Sequence, residues 1–394
     1  MIRGLTRAAL AVTCAGLIAG CGSPPARVTG PAPGPVTAPL STSLVTAQGT
    51  WAVAVMGRPA QDGEGFWQLF VRPAGAGSWS LVTPEGVADN GGLVAAGGAG
   101  SVTVGFRPSQ NLAFSPLATS TDTGRNWTPG LLDAGLASTP GAIAVGPSGR
   151  TLALLQDGTI EAATARGAAA GQWSPLVTAK ALAASAAGRA CGLTGVNTLS
   201  FGAYDNPMAG GGCARPGVAG VFTDDGGTWR SAGLALPGEG RVRVLGLAAV
   251  SISGSISGAG GNTALLAVSG PGGTRLRAAW RDGTRWTVSP PLAAGPGTAG
   301  PVTINRVRAL GFGPGGSAWL LLGGGRAESI GGPGRAWRAL PPVPAGTGTL
   351  APGPGGSYDA LAAAGSRLTV WRLGAGTWAR VQQISVPVQY GSSG

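Results

Sequence analysis

Seven tryptophans constrain this chain more than any other feature. Trp79, Trp127, Trp173, Trp229, Trp286, Trp337 and Trp378 recur at spacings of 48, 46, 56, 57, 51 and 41 residues. Each follows a Gly-rich turn, and each turn follows a short β-like run, as in GFWQLFVRPAGAGSW, GVAGVFTDDGGTW and SRLTVWRLGAGTW. An apolar run, a tight turn and a large aromatic beyond it read as a hairpin. A second pattern lies upstream of these: an apolar run, a Gly-rich turn, a small residue and another apolar run. LVAAGGAGSVTVGF, IAVGPSGRTLALL, LAASAAGRACGLT, LGFGPGGSAWLLL and LAPGPGGSYDALAAA carry it. The first repeat has a looser form, LVTAQGTWAVAV, and the fifth hides it behind a Gly/Ser insertion from Ser251 to Gly261. Two hairpins per repeat make four strands, and four-stranded units of about 40–50 residues have the size of a propeller blade. The expected fold is all-β: a seven-bladed β-propeller of four-stranded antiparallel blades over residues 44–390, followed by a C-terminal tail over 391–394. A β-helix or a pair of sandwiches is the alternative, but the repeat is long for the first and regular for the second.

Composition agrees with many short strands. The 74 Gly and 31 Pro would interrupt long helices, while 43% apolar residues are too many for a disordered chain. Charge is sparse and lopsided, with 27 Lys and Arg against 15 Asp and Glu, and Lys180 is the single lysine. A net charge of +12 could favour anionic phospholipid or a wall polymer, but compositional drift is the preferred explanation, since net charge speaks to non-specific association. No basic run or basic helix points to nucleic acid.

The N-terminus reads as a processing signal. Arg3 and Arg7 precede an apolar stretch from Ala8 to Ile18, too short to span a bilayer. Leu17-Ile18-Ala19-Gly20-Cys21 follows and resembles the bacterial lipobox. That resemblance implies a signal peptide over 1–20, a diacylglyceryl group on Cys21, and a domain held on the extracytoplasmic face of the membrane. Over 22–43, Pro24, Pro25, Pro31, Pro33, Pro35 and Pro39 stand among Gly, Ala, Thr and Ser, the composition of an extended tether. Cys14 leaves with the signal peptide, so Cys191 and Cys213 remain as an even pair in an oxidising compartment. A disulfide between them is expected, worth about 3 kcal/mol. With no His in the chain, neither a zinc site nor a Ser-His-Asp arrangement is expected, and no cofactor is implied.

One turn carries a motif. Ser120, Asp122, Gly124 and Trp127 fit the pattern S-x-D-x-G-x-x-W. The carboxylate can accept backbone N–H groups across the turn, the Gly can take a positive φ, and the Trp can pack the turn onto its blade. A shorter copy contains Asp225, Gly227 and Trp229, and a more degraded one Asp282 and Trp286. The chain therefore resembles the Asp-box, or BNR-repeat, propellers, which include sialidases, glycosidases and photosystem-assembly-type stability factors. The resemblance covers nearly all of the mature chain. It implies a propeller whose Asp-box turns join the third and fourth strands, away from the active face, so that Asp122, Asp225 and Asp282 are structural.

It does not carry an activity. Sialidases use an arginine triad, a Tyr nucleophile paired with Glu, and an Asp acid/base. The Arg-Ile-Pro motif of the first triad arginine is absent, and Arg58-Pro59, Arg72-Pro73 and Arg107-Pro108 echo it only in part. Of the three Tyr, Tyr390 is in the tail and Tyr358 follows a first hairpin turn, leaving Tyr204 in a long loop of the fourth repeat. Loops joining the second and third strands share one propeller face with the links between blades. Arg58, Asp62, Glu64, Arg107, Asp157, Tyr204, Asp205, Arg241, Arg306 and Arg326 map there as the candidate binding face. The reading is a monomeric, lipid-anchored binding or scaffold module for an envelope protein, a peptide or a cell-wall glycan. The rival is a glycan-processing hydrolase with Asp62 and Glu64 as its acid/base pair. A purely structural envelope protein is the third alternative.

Overall fold

The computed structural model describes residues 41–57, 65–84, 93–98, 100–106, 116–131, 141–250, 261–271, 273–292 and 307–386. Within them the strands fall, in chain order, into runs of four. The first run is β1 (Ser41–Thr46), β2 (Gly49–Gly57), β3 (Gly65–Pro73) and β4 (Ser80–Leu81). The second is β5 (Leu93–Gly98), β6 (Ser101–Phe106), β7 (Pro116–Ser120) and β8 (Thr128–Leu131). The third is β9 (Ala142–Val145), β10 (Thr151–Leu154), β11 (Ile160–Ala163) and β12 (Ser174–Val177). The fourth is β13 (Leu193–Phe201), β14 (Pro207–Cys213), β15 (Gly220–Asp225) and β16 (Thr228–Ser231). The fifth is β17 (Arg241–Val250), β18 (Gly261–Gly270), β19 (Gly273–Asp282) and β20 (Arg285–Val288). The sixth is β21 (Val307–Phe312), β22 (Ala318–Leu322), β23 (Ala327–Ile330) and β24 (Arg338–Ala339). The last is β25 (Thr347–Pro352), β26 (Tyr358–Ala364), β27 (Arg367–Gly374) and β28 (Thr377–Ser385).

Each run is an antiparallel meander, pairing first strand to second, second to third and third to fourth. The meander puts its first and third turns at one end, here the Trp-turn end. Its second turn and the link to the next run lie at the other, the link end. Strand composition follows position. GTWAVAVMG of β2 is buried on both faces, as a strand between two packed neighbours must be. TWARVQQIS of β28 alternates between exposed and half-buried residues, as an outer strand with one wet face does.

The core is a chain of seams. Trp51, Leu69 and Val71 of the first run pack on Val102 and Val104 of the second. Leu117 of the second meets Ile143 and Val145 of the third. The third meets the fourth through Leu152, Phe201 and Phe222. The fourth meets the fifth through Met208, Val221, Val244 and Leu266, and the fifth meets the sixth through Leu265, Trp280, Leu310 and Leu320. The sixth meets the last through Trp319, Leu321, Leu350 and Ala360. Ala351, Leu361 and Val370 then pack on Met56, Phe70 and Trp79 of the first run, so the order returns on itself. Mostly antiparallel strands in meanders packed face to face around a returning circuit make a β-propeller. β1 also pairs in parallel with β21, Ser41 opposite Leu310 and Ser43 opposite Gly311.

LAASAAGRACGLT was expected to form a hairpin, and the structure differs. Its residues form two short helices, α2 (Ala179–Ala184) and α3 (Ala186–Cys191), which link the third run to the fourth. Alanine is the strongest helix former, and Thr178 and Ser185 cap the helices, their hydroxyls accepting N–H bonds from Ala181 and Gly188. Likewise ARGAA before Trp173 is a helical turn, α1 (Ala165–Ala169), capped by Thr164. Within the long loop expected from Phe201 to Ala219, Pro207–Cys213 form β14, and the three glycines lie in that strand. A Cβ on Gly211 would stand 2.0 Å from the Gly195 carbonyl oxygen, so the close approach of β13 requires glycine there. The disulfide joins the end of α3 to the end of β14, with Cys191 and Cys213 Cα atoms 5.2 Å apart. No helix among the described residues is long and apolar enough to cross a membrane.

Candidate functional site

The expected binding face is only partly assembled. Cys21, Arg58, Asp62, Glu64, Arg107 and Arg306 lie outside the described residues. Asp157, Arg241 and Arg326 do stand at the link end, but in three different runs. Asp157 is occupied by its own turn, accepting bonds from the Thr159 amide at 2.8 Å and hydroxyl at 3.0 Å. Arg326 is paired with Glu328 at 2.8 Å, and Arg241 is exposed at the start of β17.

Tyr204 and Asp205 are at the opposite end. They sit in the short turn between β13 and β14, because the residues expected as the first hairpin of this repeat are helices, so the strand after them becomes the first of its run and β14 the second, while β15 and β16 keep the third and fourth places. Asp205 accepts a hydrogen bond from Ser148, in the β9–β10 turn of the preceding run, which places both at the Trp-turn end. Tyr204 is 87% exposed, with φ +62°.

The turns before the tryptophans are built as local hydrogen-bond cages. The Asp122 carboxylate accepts from the Asn126 amide at 2.9 Å, the Asn126 side chain at 2.6 Å and Ser120 Oγ at 2.9 Å. These bonds hold its pKa below the usual range, the Asn126 backbone N–H most of all. Gly124 takes φ +80° and gives its N–H to Ser120 Oγ at 2.9 Å, while Trp127 meets Trp51 edge-on at 6.4 Å. In the second copy the turn carboxylate is Asp224, not Asp225. Asp224 is buried and accepts from the Gly227 amide at 2.9 Å. It stands five residues before Trp229, as Asp122 stands before Trp127. Asp225 is exposed and pairs with Arg230 at 3.6 Å. Asp282 is also exposed, and Trp286, beyond the Gly283 turn, gives its indole N–H to the Ala232 carbonyl at 2.8 Å.

Sequence reasoning missed two features, each assembled from distant residues. The first is a buried ion cluster between the last run and the first. Asp359, with no exposed surface, accepts from Arg372 at 2.7 and 3.0 Å and from the Trp79 indole at 2.9 Å, and lies 3.3 Å from Arg72 Nε. Arg72 also donates to Thr50 Oγ1 at 3.0 Å and to the Pro352 carbonyl at 2.7 Å. Burial lowers the Arg72 pKa against the pull of Asp359, whereas the hydrogen bond to Asp359 raises that of Arg372. Charges and hydrogen bonds here are met within the cluster except at Arg72 Nε, which has the Asp359 charge but no hydrogen-bond acceptor, so the cluster has the character of a fastening.

The second is a cavity of about 710 Å³ at the Trp-turn end, between the sixth run and the last. Leu340, Pro341 and Leu373 give it apolar walls, and Ser329, Tyr358 and Arg338 supply polar groups. Burial raises the Tyr358 pKa; the Ser329 hydrogen bond and the Arg338 charge oppose that shift less strongly. Among the described residues no carboxylate lines this cavity. Among the described residues there is also no group of three or more acidic or cysteine side chains able to hold a metal ion.

No protein-family model matches this sequence, and no curated protein matches it. Solved structures do. A candidate 6-phosphogluconolactonase from Bacteroides uniformis is 12% identical with a TM-score of 0.51, over 86% of this chain and 97% of the other. YCF48 bound to D1 peptide is 16% identical with a TM-score of 0.45, over 82% and 90%. The six-bladed propeller lectin of Aleuria aurantia is 11% identical with a TM-score of 0.36, over 89% and 96%. The likeness to the first is one of fold alone.

Proposed function

We propose that this protein is a lipid-anchored, extracytoplasmic β-propeller that binds a peptide, protein or glycan and does not turn it over. The cavity beside Arg338 carries the reading: apolar walls, hydroxyls and one cation, without the pair of facing carboxylates that glycoside hydrolysis uses. The described carboxylates with the least exposure are engaged elsewhere, Asp359 by two arginines, Glu328 by Arg326 and Asp224 by its turn. The runs are read as seven blades closing one ring, and the Ser120–Trp127 turn as an Asp-box. The lipobox-like segment ending at Cys21 and the proline-rich stretch after it support the anchor and the tether.

The binding reading is tested on a peptide and glycan array probed with the wild type and with Arg338→Glu. Saturable signal lost in the variant, whose thermal midpoint is unchanged, is the expected result. Turnover of chromogenic glycosides that Glu64→Gln abolishes would replace this reading with the hydrolase. For the anchor, Cys21→Ala should release the protein from membranes or leave an unprocessed precursor. A variant that fractionates and migrates like the wild type would refute it.

A further inference from the structure

The Trp-turn end carries a second site, separate from the cavity. Arg281, on β19, is half-buried against the fourth run, and its Nε is out of solvent without an acceptor. Its Nη1 donates to the Met208 sulfur at 3.9 Å, a weak acceptor. Burial lowers its pKa, and no neighbouring charge compensates. Arg72 and Arg372 are matched to Asp359, Arg277 to Glu239 and Arg326 to Glu328, although the Nε of Arg72 and of Arg277 likewise lacks a hydrogen-bond acceptor; Arg150, also half-buried, is in no ion pair among the described residues. Asp282 follows Arg281 in the strand, so it points to the other face, and it is exposed. Asp205 accepts from Ser148 through one carboxylate oxygen, its other oxygen has no hydrogen-bond partner, and no ion pair joins it to Arg281 among the described residues. Arg281 therefore has no carboxylate among the described residues. A half-buried cation without a counterion is unfavourable unless something outside the chain supplies one.

The same seam holds a strained aromatic. Tyr204 keeps φ +62° at the tip of the β13–β14 turn, a conformation that disfavours a bulky side chain. The turn is closed by the Gly202 amide on the Asn206 carbonyl at 2.8 Å. It is braced from β18, where the Asn262 side chain donates to the Phe201 carbonyl at 2.7 Å, and Asn262 is the register partner of Arg281. A Cβ on Gly202 would stand 3.2 Å from the Met208 sulfur that Arg281 touches, so the base of the turn and the guanidinium share one neighbour. The strain holds an almost fully exposed ring on the turn whose base shares the Met208 sulfur with an uncompensated cation. Tyrosine offers a ligand an apolar face and a hydroxyl on a side chain with little entropy to lose.

We propose that Arg281 and Tyr204 form a binding site for an anionic ligand. A carboxylate or phosphate meets the guanidinium, and the compact carbon body that carries it lies on the Tyr204 ring. The guanidinium fork suits either group bidentately. This site does not depend on the cavity beside Arg338 or on the lipid anchor.

The test uses the purified full chain at low ionic strength. Its thermal midpoint is followed against glucuronate and glycerol phosphate, with glucose, glycerol and matched sodium chloride as controls. Either anion, or both, should raise the midpoint saturably, and the controls should not. Arg281→Met should weaken the apparent affinity at least tenfold without lowering the ligand-free midpoint. Tyr204→Ala should weaken it several-fold, also with an unchanged ligand-free midpoint. A wild type unresponsive to both anions, neutral controls that act equally, or an Arg281→Met variant that responds like the wild type would overturn the proposal. So would a ligand-free midpoint that falls sharply in Arg281→Met, because the arginine would then be a structural group.

Discussion

Two seams of this molecule bury arginine in opposite ways. Between the last run and the first, Arg72 and Arg372 converge on Asp359, and Trp79 donates to the same carboxylate. Between the fourth run and the fifth, Arg281 lies half-buried on a methionine sulfur. The first arrangement completes itself. It also sits where the first and last runs meet, and the first run's Trp79 and the last run's Gln382 there exchange bonds at 2.7 and 2.8 Å. The ring's closure thus draws on side chains as well as on packed apolar surface. The second arrangement is complete only with an anion from outside. A guanidinium that brings its own counterion serves the fold, and one that does not is a reason to look for a ligand.

Removing the carboxylate should make the closing seam resemble the open one. Asp359→Ala leaves two guanidiniums and an indole N–H without their shared acceptor, and breaking a buried pair in this way costs about 3–5 kcal/mol. The urea midpoint should fall accordingly. Replacing Arg72 by Met and Asp359 by Leu together should recover part of the loss, because apolar groups need no partner. If Asp359→Ala lay within 1 kcal/mol of the wild type, the fastening role would be wrong.

A covalent fastening provides the next comparison. The Cys191–Cys213 bridge ties α3 to β14 across 22 residues, and backbone bonds from Ala214 and Arg215 to Gly192 and Cys191 hold the same place. Reduction should lower stability by about 2–4 kcal/mol. Protection of the core amides in hydrogen exchange should weaken first in the fourth run. Equal loss in every run would mean that the bridge acts only on the unfolded chain.

These contrasts follow distance along the chain. The Trp-turn hairpins were legible because strand, turn and aromatic fall within about fifteen residues, where turn chemistry acts locally. LAASAAGRACGLT misled because Gly-Arg after small residues resembles a turn, while the alanines and the caps at Thr178 and Ser185 favour helix. That misreading moved Tyr204 to the wrong end of its meander. Two aspartates adjoin before Trp229, and counting back five residues from it separates the turn carboxylate Asp224 from the exposed Asp225. Nothing local announces Asp359 or the cavity, whose parts come together only when the runs close on themselves.

The smallest expected effect concerns Asp122, a carboxylate that serves its turn in open water. Its bonds from Asn126 and Ser120 favour the charged form, so its pKa lies below the ordinary value near 3.9. The sign follows: the turn's stabilisation is present above about pH 4 and fades as pH falls through the lowered value. Because the group is exposed, solvent screens the gain, and global stability should barely register it. Carboxyl carbon NMR can read the titration directly. Asn126→Ala removes the side-chain bond of 2.6 Å but keeps the backbone N–H, which is the larger cause, so the Asp122 midpoint should rise only part of the way to the ordinary value. Ser120→Ala should raise it less, since that hydroxyl contributes less to the shift. An Asp122 that titrates at the ordinary carboxylate pH in the wild type would mean that the cage does not persist in solution. Unlike Asp359, it would then leave nothing else in the fold unpaired.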